Sequence, residues 1–158
     1  MAAKGVVATH NITPSSIQIG TAHALAESVG CIVVRFLHNG HNYDLTSWCR
    51  FISRMECVDR LLDWKMLSLD VIYVRDSIVP ATPSNALDAD FHSGLEHWTR
   101  NSYKHLAWHV AQQGVQVRDD LPGIDDEDTV RRVMISNQEW FDQVGWRCSR
   151  EHLSSKYR

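Results

Sequence analysis

His105 and His109 stand four residues apart in the stretch Phe91 to Gly114, FHSGLEHWTRNSYKHLAWHVAQQG. Residues at i and i+4 share one face of a helix, so two imidazoles at that spacing can ligate one divalent ion, as the paired histidines of an HExxH helix do. The residues between them, Leu106, Ala107 and Trp108, include no glutamate to serve as the base, so the zincin pattern is incomplete. Asp88, Asp90 and His92 are the candidates for further ligands. Together these residues outline a small metal-dependent hydrolase, in which the ion would lower the pKa of a bound water and make it a nucleophile. On a straight helix the fifteen residues from Asp90 to His105 span roughly 22 Å, so this reading needs the chain to fold back at Ser93-Gly94. The simpler expectation gives His109 to the core as a hydrogen-bonded histidine and leaves His105 at its boundary.

Other residues invite chemistry with less support from their spacing. His38 and His41 flank an Asn-Gly pair and would face each other across a hairpin, where they could hold a metal or an anion. The acids Asp119, Asp120, Asp125, Asp126, Glu127 and Asp128 lack the EF-hand spacing, which favours a solvated capping segment. Cys148, among Arg147, Arg150 and His152, has the most activating neighbours of the four cysteines. A passive surface thiol is the plainer reading of it. No GxSxG, P-loop or dinucleotide-binding glycine pattern occurs, so the corresponding enzyme classes have no positive support.

The elements that would position these groups follow from periodicity. Phe91 to Gly114 predicts one continuous helix, with Phe91, Leu95, Trp98, Ser102, Leu106 and His109 on its buried stripe. His97, Asn101, His105 and Trp108 then form a row down one flank. Gly5 to His10 predicts a short strand. Thr13 and Pro14 predict the start of a helix running to Val29 and closed by Gly30. Cys31 to Leu37 predicts an interior strand, and His38-Asn39-Gly40-His41 a type I′ hairpin leading into a strand at 42–45. A long second helix is expected to about Leu67, and a strand over Asp70 to Asp76. The prolines of SIVPATPS predict a loop, Val115 to Arg118 a short strand, and Asp125 or Asp126 a cap for a last helix over 127–144.

That order, β-α-β-β-α-β over the first eighty residues, is the ferredoxin-like split βαβ arrangement. It gives an α+β expectation: a sheet-bearing half over 1–80, a mainly helical half over 81–146 packed on it, and a frayed tail over 147–158, all in a single globular domain. Such an architecture hosts many activities and so does not choose among them.

Composition narrows the partners. A formal charge of −3 gives no global attraction for nucleic acid, so a nucleic-acid-binding ferredoxin-like module ranks third. Its sheet would offer mainly Tyr43, Tyr73, Arg35 and Arg75. No apolar run approaches a membrane span, and MAAKGVVATH has no secretory h-region, so a cytoplasmic setting with reduced thiols is expected. Six tryptophans in 158 residues are well above usual; most are expected in the core, while Trp64 and Trp108 fall off the apolar stripes of their helices, and tryptophan is favoured at binding hot spots. The leading expectation is a non-catalytic binding or regulatory protein, of inhibitor or adaptor type. It would act without a cofactor through a protein interface, with a protein partner for which a second copy of itself is one candidate. The expected interface residues are His97, Asn101, His105, Trp108 and Trp64.

Overall fold

The computed structural model describes residues 7–57, 63–82 and 89–143. Four long strands, β1 (Val7–Ile19), β2 (His23–His38), β3 (His41–Cys57) and β4 (Trp64–Pro80), are followed by three helices, α1 (Ala89–Glu96), α2 (Lys104–Ala111) and α3 (Glu127–Asp142). The strands form one antiparallel sheet in the order β1-β2-β3-β4, so every pair is made by sequence neighbours.

The ferredoxin-like expectation is therefore corrected. Within the first eighty residues the described parts of both segments expected to be helices lie almost entirely in strands, and the sheet rather than a helical half dominates the described residues. Pro14 does not begin a helix. It sits in β1 at the sheet edge, where the ladder shifts between Pro14 and Ser16 and a missing N–H is tolerated. Gly30 ends no helix either: it lies inside β2 opposite Ile12, and a Cβ there would stand 2.2 Å from the Asn11 carbonyl oxygen. Only glycine lets β1 approach so closely.

The hairpin reading agrees with the structure. Asn39 and Gly40 adopt φ of 47° and 80°, the positive values that a type I′ turn requires, and His38 pairs with His41. The interior strand at Cys31–Leu37 and the strand at Asp70–Asp76 lie within β2 and β4, the last helix is α3, and its cap is Asp126. The expected strand at Val115–Arg118 has no regular structure, and β4 continues through the first proline of SIVPATPS.

Helices cover both faces of the sheet. The register aligns Val34, Leu45 and Ile78 across three strands. With Phe36, Tyr43, Phe91 and Trp108 they form one core under α1 and α2. Ile52 is seven residues beyond Leu45 on β3 and so points to the opposite side. There it joins Leu25 and Ile72 beneath Val130, Val133, Trp140 and Phe141, from α3. Each large side chain so buried contributes about 1.5–3 kcal/mol. The chain passes between the faces along the outer edge of β4. Tyr73 N–H donates to Pro122 O at 2.9 Å, and Ile124 N–H donates to Tyr73 O at 3.0 Å.

Polar side chains fix where α3 lands. Buried Asn137 donates through Nδ2 to Asp70 Oδ2 at 2.9 Å and accepts from Arg54 Nε at 2.8 Å. Beside it Trp140 stacks on His23 with ring centroids 4.2 Å apart.

Candidate functional site

The expected continuous helix over 91–114 is two helices joined by the segment 97–103. The break falls after Gly94 rather than at it, and it dissolves the row of His97, Asn101, His105 and Trp108, because the first two are no longer helical. His97 and Asn101 are exposed on the connecting segment. Trp108 is buried at 4 % exposure among Phe36, His38 and Phe91, so the expectation that it stands outside the apolar face is corrected. Because the chain leaves the helix over 97–103, α2 does not continue the phase of α1. Trp64 opens β4, half-buried and opposite Cys57.

His105 heads α2 and faces Asp76 of β4. Its Nδ1 lies 2.6 Å from Asp76 Oδ1, and Leu106 N–H donates to Asp76 Oδ2 at 2.7 Å. The Asp76 side chain is wholly buried, so it needs these partners, and it answers an amide that the first turn of a helix leaves unsatisfied. A carboxylate on Nδ1 is also how catalytic imidazoles are held. What stands next to Asp76, however, is poorly suited to catalysis. Ser47, buried opposite it in the ladder, contacts the Cys49 sulfur at 3.7 Å, and burial pushes the Cys49 thiol up, away from the reactive thiolate. The geometry is that of an anchor fastening α2 to the sheet.

His109 is the hydrogen-bonded core histidine of the simpler expectation. It is buried, tilted against Phe36 at 4.4 Å, and its Nε2 accepts from Gln113 Nε2 at 2.9 Å. Burial lowers its pKa. Each of the two histidines thus has its own protein partner. His92 is exposed, while Asp88 and the Asp90 side chain lie outside the described residues. Among the described residues no group of three or more His, Cys, Asp or Glu side chains gathers into a metal-binding cluster.

The acidic segment divides by role. Asp126 caps α3, accepting from Asp128 N–H and Thr129 N–H. Asp125 turns back to accept from Arg100 Nη2 at 2.9 Å and Ser102 Oγ at 2.7 Å. Burial alone would raise its carboxyl, but these hydrogen bonds outweigh it and hold the pKa at about 2. Arg100 also donates to Asp119 O at 2.6 Å, so one guanidinium ties both ends of the acidic loop.

Of the residues named for a nucleic-acid surface, Tyr43 is buried, Arg35 is paired with Asp44 at 2.6 Å, and Arg75 lies over Trp48 at 4.2 Å. His38 packs edge-on to Trp108 at 5.2 Å rather than standing out at the hairpin tip. Cys148 and its basic neighbours lie outside the described residues.

One surface was not expected. β1 forms an outer edge of the sheet, and every side chain from Ala8 to Ile19 is exposed. Ile12, Ile17 and Ile19 are 50 %, 60 % and 70 % exposed. The signal in the sequence was the absence of any Asp, Glu, Lys or Arg between Lys4 and Glu27. The chain matches no protein-family model, and no curated protein is similar to it. Among the described residues no helix is long and apolar enough to cross a membrane.

Proposed function

We propose that this is a non-catalytic binding protein that works through a protein interface, and that the interface is built on β1. The observation that carries the reading is a thirteen-residue edge strand, VATHNITPSSIQI, with no charged residue and with its isoleucines in solvent. An edge strand presents unpaired N–H and C=O groups to any other extended chain, and proteins usually guard such edges with charges, prolines or a covering loop. The β4 edge has such a cover at 122–124. Among the described residues β1 has only Pro14 and its register shift, which divide the edge without charging it. A partner would add an extended segment to the sheet, with main-chain hydrogen bonds giving affinity and the isoleucine side chains giving selectivity. A second copy of the chain qualifies, because two uncharged strands pair antiparallel without like-charge repulsion.

The test is an Ile12→Lys, Ile17→Lys double variant. Both side chains project into solvent, so melting temperature should stay within a degree or two, as for surface changes within about 0.5 kcal/mol. Sedimentation velocity should show concentration-dependent association of the natural chain that the variant loses, or affinity capture should recover a protein that the variant fails to hold. A natural chain that stays monomeric and retains nothing that the variant loses would refute the proposal.

A further inference from the structure

A cavity of about 240 Å³ lies between α2 and the strap 115–121. Tyr73 and Tyr103 form one end, their rings tilted at 48° with centroids 5.1 Å apart. Leu106, Ala107, Val110, Val115, Val117 and Leu121 line most of the remainder, with Gln116 and Arg118 at the strap. The strap has no regular structure of its own, yet two of its carbonyls, and that of Pro122 just beyond it, are tied to three separate supports. Tyr103 Oη donates to Arg118 O at 3.1 Å, Arg100 to Asp119 O at 2.6 Å, and Tyr73 N–H to Pro122 O at 2.9 Å. Val115, at the near end, is held by its own N–H to Val110 O at 3.4 Å and is half-exposed, leaving a way in from solvent. The space is thus walled by fixed groups and does not need a ligand to form it.

We infer that this cavity is a binding site for a small uncharged aromatic molecule of about two fused rings. Size sets the upper and lower bounds: an apolar cavity of about 150 Å³ accepts benzene, and this one is larger by more than half. Tilted tyrosine rings offer an aromatic ligand edge and face contacts at favourable angles. Charge sets the class. The single charged side chain on the lining, Arg118, is 73 % exposed and already bonded to Asp120 through Nε at 2.7 Å. An ionised ligand would lose its hydration inside and gain no counter-charge. The site is separate from β1, so its occupancy does not depend on the proposed protein interface.

Indole is the probe, with benzoate as its charged comparison, and methyl-resolved NMR is the readout. Indole should shift the methyls of Ala107, Val110, Val115 and Val117 saturably, with a Kd on the order of 1 mM or tighter for so few atoms. Benzoate should bind at least about tenfold more weakly, as expected of a site without a counter-charge. Val110→Phe fills the cavity from the helix side and should abolish the shifts; Val117→Phe does so from the strap, in case the first variant fails to fold. Absence of saturation, shifts confined to other methyls, or binding undiminished in the folded variants would each overturn the assignment.

Discussion

His109 is kept neutral by two separate causes. Its burial lowers the pKa, and Nε2 accepts a hydrogen bond from Gln113, which a protonated ring cannot do. A histidine depressed in the folded state takes up a proton more readily when unfolded. The stability it contributes is therefore complete above the unfolded value of 6.5 and is lost as pH falls toward the folded value. Melting temperature should fall between about pH 7 and pH 5, and in His109→Leu that fall should be smaller. Equal pH dependence in both proteins would show that the ring titrates freely. This residue was legible from the sequence, since it sits among apolar positions at helical spacing. Trp108 next to it was not. Its burial depends on Phe36 and His38, contributed by a strand some seventy positions earlier, and helical phase alone carries no information about such a contact.

At the scale of an element, the docking of α2 turns on Asp76. A wholly buried carboxylate satisfies the Leu106 amide and holds His105 at 2.6 Å. Asp76→Ala leaves the Leu106 amide and the His105 ring without their partner and should cost about 1–3 kcal/mol, the usual penalty for a polar group left unmatched. Asp76→Asn keeps an acceptor for the amide and should cost less. Denaturant unfolding of the two variants would decide it, and equal small losses would show the contact to be incidental. Asp76 was hidden because it reads as one of two acids bracketing the apolar run DVIYVRD. The misreading of 46–67 as a helix has a related cause. Tyr43, Leu45, Ser47, Cys49 and Phe51 are buried on one face of β3, yet Trp48 and Ile52 occupy the other, which α3 partly covers. A strand with apolar residues on both sides loses its period of two, and spacings of three and four then appear by coincidence. The hairpin survived this ambiguity because Asn39-Gly40 specifies its turn through local backbone conformation alone.

Across the whole molecule the two sheet edges differ. Hydrogen bonds from 122–124 occupy part of the β4 edge as the chain crosses to the second face, whereas among the described residues β1 is paired only with β2. The central strands β2 and β3 are bonded on both sides and should hold the slowest-exchanging amides. In β1 only those N–H groups directed at β2 should be protected, so exchange should alternate along residues 8–19, interrupted at Pro14. The proposed interface makes a sharper demand on the same amides. When the binding partner is present, or when protein concentration is raised if the partner is a second copy, the fast members of the alternation should slow and the slow ones should remain as they were. Protection that spreads over isoleucine-bearing positions without regard to amide direction would instead mean that a partner rests on side chains and adds no strand. Unchanged exchange throughout β1, under conditions where association is measured independently, would move the interface elsewhere.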